Sequence, residues 1–384
     1  MRSEQWISEL LAKLAREGLE RRLAVHPADG AVCDFTSNDY LNLSTHPDVV
    51  AAMQAGTMVG SGASRLVSGT REIHQEFEQQ LAAYFGKPAA LVFGAGYLAN
   101  LGLLSSYLGR NDTVFADRLV HASLIDGIQL SDARHQRFQH NDAAHLEQLL
   151  VKTGTTRKPG ERWLVVVESV YSMDGDVAPL AAIAELAIEH DAQLLVDEAH
   201  ALGVFGPAGR GVAAELDISD QVPLVTGTLS KAFGSYGGVV VASDFVRQLL
   251  VNRARPFIYN TALPPALLLA ASESLRIIGS QAGLGDKLLE LAAHFRRELH
   301  EQGLEVGPSA SQIVPVMVGD NQQAVQLAEA LHERGILVKA IRPPTVPVGT
   351  ARLRFSVTLA HNEQLLTHTA QAVAEAARSI GQLE

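Results

Sequence analysis

The chain has 384 residues, enough for two hydrophobic cores, and its 47% hydrophobic and 19% charged residues are the balance of an ordinary soluble globular protein. A net charge of −11 argues against nucleic acid or an anionic membrane surface as a partner, because both require a basic face. Cys33 is the single cysteine, so no intrachain disulfide or thiolate cluster can form; no metal is expected, and a cytoplasmic localisation fits.

The first stretch, MRSEQWISELLAKLAREGLERR, spaces Trp6, Leu10 and Leu14 at helical intervals and carries Glu4 and Glu9 where a signal peptide would have its apolar core. It reads as a retained amphipathic helix, and residues 1–45 as an N-terminal helical segment. The glycine-rich stretch GSGASRLVSGT (60–70) asks for close backbone approach to something.

From residue 89 to 243, the runs ALVF, TVFA, WLVVVE, QLLVDE, PLVTG and GGVVVAS alternate with helical patterns. That alternation predicts βαβ units and a mostly parallel sheet covered on both faces, here an α/β domain over 46–280. No apolar run reaches the roughly 18 to 20 residues that span a bilayer; WLVVVESVYS is interrupted by Glu168. The polar stretch KTGTTRKPGER (152–162) reads as a solvated loop. After Pro264-Pro265 long helical patterns precede three strand candidates, IVPVMVG, ILVKAI and RLRFSVT, and a last helix starts near Glu363, so residues 281–384 form a smaller α+β domain.

Within ALVFGAGYLAN (90–100), Gly94-Ala-Gly96-Tyr-Leu-Ala99 spells a G-x-G-x-x-A turn, and Asp117 ends the next strand-like run. Those features alone admit a dinucleotide site. The same strand-to-helix turn would equally serve another phosphate, because a helix N-terminus favours any anion. In LLVDEAHALGVFG, Asp197 ends a buried strand, where a carboxylate is either a helix cap or the partner of a cation. In VTGTLSKAFGSYGG, Lys231 follows another buried strand among small residues; burial favours the neutral amine that forms a Schiff base. A carboxylate facing a pyridine nitrogen and a lysine facing an aldehyde together suit pyridoxal phosphate.

Asp197-Glu-Ala-His200, Thr228-Leu-Ser-Lys231-Ala-Phe-Gly234, Ser37-Asn38-Asp39-Tyr40-Leu41, Asp117-Arg-Leu-Val-His121-Ala-Ser123 and Ser172-Met-Asp-Gly-Asp176 resemble the α-oxoamine synthases, pyridoxal-phosphate enzymes of the fold-type I aminotransferase superfamily. The resemblance runs from about residue 20 to the end. Ala340-Ile-Arg342-Pro-Pro-Thr345-Val-Pro and Gly349-Thr-Ala-Arg352-Leu-Arg354 are most similar to the branch that condenses L-alanine with a pimeloyl thioester, of CoA or of an acyl carrier protein, in biotin formation.

The resemblance implies that Lys231 bonds the cofactor and shuttles a proton, Asp197 faces the pyridine nitrogen, His121 stacks over the ring, and His200 and Ser172 bond its phenolic oxygen. Gly96, Tyr97 and Thr228 would approach the phosphate and ring edge. Arg354, helped by Asn38, would bind the amino-acid carboxylate, and Arg21, Arg342 and Thr345 the acyl substrate. It further implies a homodimer with shared sites, the segment Ile258-Tyr-Asn-Thr261-Ala-Leu-Pro264-Pro265 reaching the neighbouring subunit's phosphate site. Two alternatives stand beside it: condensation of glycine with a shorter acyl-CoA, since one methyl group discriminates weakly, and a non-catalytic module that senses pyridoxal phosphate.

Overall fold

The computed structural model describes residues 4–21, 23, 25 and 32–383. Their strands are β1 (Cys33–Asp34), β2 (Ala89–Phe93), β3 (Thr113–Asp117), β4 (Arg134–Phe138), β5 (Trp163–Glu168), β6 (Ala192–Asp197), β7 (Leu224–Thr228), β8 (Gly238–Ala242), β9 (Ile313–Gly319), β10 (Ile336–Leu337), β11 (Lys339–Ile341) and β12 (Ala351–Ser356). The chain divides into two compact units, Asn38–Ser172 with Asp176–Leu289, and Met1–Ser37 with Met173–Gly175 and Glu290–Glu384. No helix among the described residues is long and apolar enough to cross a membrane.

The first unit is built on a seven-stranded sheet ordered β2-β8-β7-β6-β5-β3-β4. Strands β4, β3, β5, β6 and β7 run parallel, and β8 is antiparallel to both β7 and β2, so β8 alone is reversed. The mostly parallel α/β sheet expected from the alternating runs is present. Every residue of β2, β3, β5, β7 and β8 is buried, as strands covered on both faces must be.

Within this sheet the strand that the sequence pattern does not announce is β4, RHQRF, at the sheet edge with only Phe138 fully buried. Charged side chains on an edge strand discourage pairing with another chain and erase the apolar run that marks its neighbours. The stretch 152–162 also differs from a purely solvated loop. Glu161 is buried, accepting hydrogen bonds from Thr113 Oγ1 (2.7 Å) and Trp163 Nε1 (2.9 Å) and pairing with Arg134 (2.5 Å). Burial opposes its ionisation, but these donors prevail and hold its carboxyl down to about 2. Arg157 lies 4.4 Å above the Trp163 ring.

The glycine-rich stretch 60–70 forms a tight turn, with one π-helical turn at Arg65–Gly69, and pairs with the 258–265 segment through a Ser64–Thr261 bridge. A Cβ on Gly69 would stand 2.0 Å from the Ala63 carbonyl oxygen, so only glycine fits. Arg65 leaves this turn to grip Glu78 in a buried fork, Nη1–Oε1 2.8 Å and Nη2–Oε2 3.1 Å.

In the second unit β11, β12 and β9 form an antiparallel sheet, and β1 pairs in parallel with β10. The run ILVKAI is thus two strands, one to each partner. Phe35, Phe295 and Phe355 pack as an aromatic trio with ring centroids 5.3 to 5.6 Å apart. The helix Gln5–Arg16 is present; Gly18, at φ +63°, ends it and Leu19 N–H reaches back to Leu14 O at 2.8 Å.

Glu78→Gln should destabilise the protein by about 3 to 5 kcal/mol, because it strands a buried guanidinium. Chemical denaturation at neutral pH measures it, and a loss below about 1 kcal/mol would show that the fork contributes little.

Candidate active site

Polar groups converge where the parallel strands end. Asp117, Glu168, Asp197 and Thr228 are the last residues of β3, β5, β6 and β7, all buried, and the turn Gly94–Gly96 follows the end of β2. In an open α/β sheet this is the edge at which ligands bind.

Asp197 accepts from Asn100 Nδ2 (2.7 Å) and from Ala199 N–H (2.9 Å). Asn100 lies one turn into the helix Gly96–Tyr107, and the same amide donates to Ser123 Oγ at 3.0 Å. Ser123 Oγ is 2.7 Å from His121 Nδ1, which also accepts from Ser123 N–H at 3.2 Å as the cap of the helix Ala122–Leu130. An Nδ1 that accepts leaves the ring proton on Nε2, so this geometry selects neutral imidazole. Burial first, and then the Lys231 charge, lower the His121 pKa, with Asp197 opposing them. Tyr97 stands edge-on to His121 at 6.2 Å, its hydroxyl donating to Asp126.

Lys231 Nζ is 2.7 Å from His200 Nε2, and His200 Nδ1 is 2.6 Å from the Tyr40 hydroxyl, which donates to Asn38 Oδ1 at 3.2 Å. A Tyr40 proton committed to Asn38 makes Nδ1–H the donor to tyrosine and leaves Nε2 to accept from the lysine. Thr228 Oγ1 donates to Gly237 O (2.9 Å) and accepts from Ser230 N–H (3.1 Å). A Cβ on Gly96 would come within 3.2 Å of Thr228 Cβ, so the turn and the end of β7 nearly touch. Ser172 lies in the hairpin closed by the Val170–Val177 bridge, and Thr261 is exposed beside Ser64.

Thus Gly96, Tyr97, His121, Asp197, His200, Thr228, Lys231 and Asn38 belong to one neighbourhood of the first unit. Arg354, Arg21, Arg342 and Thr345 belong to the second unit. Arg354 is buried in the middle strand of its sheet and donates to Ser356 Oγ at 2.7 Å. Arg21 donates to Thr345 Oγ1 at 3.2 Å, and Arg342 donates to the carbonyls of Gly18 and Glu20. These three residues line a cavity of about 890 Å³. Burial and the Arg21 charge lower the Arg342 pKa.

Two side chains join the constellation without having been singled out for it. Asn100 ends the very stretch that held the glycine turn, and Glu168 pairs in register with Asp197 while accepting from His121 N–H at 2.6 Å. Burial, and then the Asp197 charge, push the Glu168 carboxyl well up. The signal for both is a polar residue in an otherwise apolar element. The dinucleotide alternative loses its ribose acid: the Asp117 carboxylate serves Leu119 N–H, His140 and Asn141 N–H.

The family model for aminotransferase class I and II matches residues 31–373. The chain belongs to the class I and II aminotransferase family. Among curated members of that family it is 46% identical to the 8-amino-7-oxononanoate synthase of Geobacter sulfurreducens, covering 97% of each chain. It is 45% identical to the enzyme of that name from Cellvibrio japonicus, over 90% of this chain and 86% of the relative. Among solved structures, serine palmitoyltransferase from S. paucimobilis, bound to a pyridoxal phosphate–myriocin adduct, superposes with TM-score 0.90 at 32% identity over 99% of this chain and 98% of that one. The 8-amino-7-oxononanoate synthase of Francisella tularensis gives TM-score 0.78 at 29% identity over 92% and 99%. The fold is that of the fold-type I enzymes of this family, a large mostly parallel α/β sheet with a smaller α+β sheet.

The neutral His121 has a consequence for pH. Its depressed pKa contributes stability above its ordinary value of about 6.5, and that contribution is lost as pH falls through the folded value. NMR titration should find the His121 midpoint below 6.5, and Ser123→Ala, which removes a hydroxyl donor to Nδ1, should raise it. An unchanged midpoint in Ser123→Ala would remove that hydroxyl from the argument.

Proposed function

We propose that this protein is a pyridoxal-phosphate-dependent acyltransferase that condenses L-alanine with a pimeloyl thioester, giving 8-amino-7-oxononanoate, CO2 and the free thiol, a step of biotin biosynthesis. The observation that carries this reading is the Asp197–His200–Lys231 constellation at the sheet edge of a chain 42–46% identical to 8-amino-7-oxononanoate synthases over most of its length. The solved serine palmitoyltransferases, with other substrates in their name, stand lower at 31–34% over 91% or more of the chain.

The residues fit the cofactor. The Gly94–Gly96 turn opens a helix whose first N–H groups suit a phosphate, Gly96 lacks the Cβ that would crowd Thr228, and a buried carboxylate and an amine suit the two ends of a pyridine aldehyde. Lys231, Asp197, His121, His200, Ser172, Gly96, Tyr97 and Thr228 would hold it. When bound, pyridoxal phosphate supplies an electron-withdrawing ring that stabilises negative charge at the amino-acid Cα.

The chain's own groups do the remaining work. Lys231 Nζ takes the proton from the alanine Cα and later returns one, with His200 Nε2 beside it to accept a hydrogen bond. Asp197 would hold the cofactor's ring nitrogen protonated, and Asn100 fixes the Asp197 carboxylate. Neutral His121 offers a flat face without a competing charge. Arg354 would fork the alanine carboxylate and so orient the bond that breaks. Arg21, Arg342 and Thr345 receive the acyl substrate, and their guanidinium charges suit its distal carboxylate.

The active unit is a homodimer with shared sites. Val59, Leu66, Val67 and Tyr259 are between 51 and 96% exposed around the Ser64–Thr261 bridge, an apolar patch that association would cover. The thiol carrier is CoA or an acyl carrier protein.

Incubation with L-alanine or glycine and a panel of CoA and carrier-protein thioesters should release thiol fastest with alanine and a pimeloyl donor. Preference for glycine and a shorter acyl chain would overturn the substrate assignment. Lys231→Ala should lose visible cofactor absorbance on dialysis and all thiol release; retention of both would move the reacting amine elsewhere. Mixed dimers of Thr261→Val and Lys231→Ala, each inactive alone, should regain part of the activity, because one of their two sites then carries neither change. An inactive mixture in which hybrids demonstrably form would confine Thr261 to its own subunit.

A further inference from the structure

His140 follows the edge strand β4 and no step above uses it. Its Nδ1 lies 3.0 and 3.1 Å from the two Asp117 oxygens, and its Nε2 lies 2.8 Å from Asp176 Oδ2. Both ring nitrogens therefore face carboxylates, an arrangement that only imidazolium satisfies with two donors. Its neighbour Asn141, held at φ +52°, repeats the bridge: its N–H reaches Asp117 Oδ2 (2.8 Å) and its Nδ2 reaches Asp176 Oδ2 (2.6 Å). The Tyr171 ring stands edge-on to the imidazole at 4.4 Å.

The two carboxylates belong to the two loops that carry proposed cofactor contacts. Asp117 closes the turn from β3 to His121 through Leu119 N–H (2.8 Å), and Val120 N–H bonds its carbonyl. Asp176 closes the hairpin around Ser172 through its carbonyl, which accepts from Tyr171 N–H at 3.0 Å. The geometry points to His140 as a positioning residue: a cationic clamp that fixes the His121 turn and the Ser172 hairpin relative to each other and so sets the slot for the cofactor ring. This rests on the function proposed above for the role of the slot, though not for the existence of the clamp.

The charge of the clamp has a pH window. Burial opposes protonation of His140, but the hydrogen bonds and charges of Asp117 and Asp176 prevail and hold its pKa up to about 9. The other titratable groups nearby are Tyr171, whose phenol is pushed up by burial, and Glu168, which feels Asp117. A raised histidine pKa contributes stability fully present below about 6.5 and lost as pH rises through about 9.

The test uses the holoenzyme. NMR titration should give one imidazole midpoint near 9 that disappears in His140→Gln and falls in Asp176→Asn. Both variants should weaken cofactor retention and lower kcat on the order of 10- to 100-fold, with the alanine KM nearly unchanged, since the slot loosens while the carboxylate site stays. Arg134→Ala, which cuts the Arg134–Glu161 pair at the other end of β4, should leave retention and kcat as they were. The clamp is overturned if the midpoint lies near the ordinary value, if both variants keep wild-type retention and kcat, or if Arg134→Ala does the same damage. A wild-type protein that binds no pyridoxal phosphate would sink the proposed function while the titration still decides the clamp.

Discussion

The site depends on one buried negative charge, the Asp197 carboxylate at the end of β6. Taking such a group out of water costs several kcal/mol, and its two donors, Asn100 and Ala199 N–H, are neutral. The protein therefore needs a helix that presents Asn100 at this depth, and the glycine turn after β2 supplies it by letting the helix begin hard against Thr228. The same asparagine amide reaches Ser123, and through it the tautomer of His121 is set. One carboxylate thus dictates the glycine turn, the buried amide and the protonation of a histidine two elements away. A cationic group arriving opposite Asp197 completes the compensation that neutral donors begin.

The sequence made the strands covered on both faces legible and left the polar one obscure. Strands β3, β5, β6, β7 and β8 inside the sheet, and β2 at one edge, bury their faces and so appear as apolar runs whatever their partners. The edge strand β4 is polar because it must not pair further, and it looks like loop. Asp197 ends an apolar run and Lys231 follows one closely. Asn100 and Glu168 are also polar residues in apolar elements, but their roles come from register and packing: Glu168 meets Asp197 only because β5 and β6 align in parallel. Arg354 illustrates the same limit. The alternation in ARLRFS suggests one wet face, yet all six residues of β12 are buried, because the strand has neighbours on both sides and its polar face is covered as well.

The strand ends crowd acids together, and the protein resolves each in a different way. Asp117, Glu168 and Asp197 end β3, β5 and β6, which are adjacent in the sheet. Two unit charges about 5 Å apart repel by roughly 3 kcal/mol at an effective dielectric of about 20, so adjacent carboxylates at such strand ends cannot all remain charged without compensation. Asp117 is compensated by the cationic His140 and by backbone amides. Glu168 is buried beside Asp197 with one backbone donor, and is pushed well up toward the neutral acid. The negative charge that remains is concentrated at Asp197, in the middle of the sheet. Its donors, the Asn100 amide and Ala199 N–H, are neutral, so it is placed to stabilise a cation brought in from outside the chain.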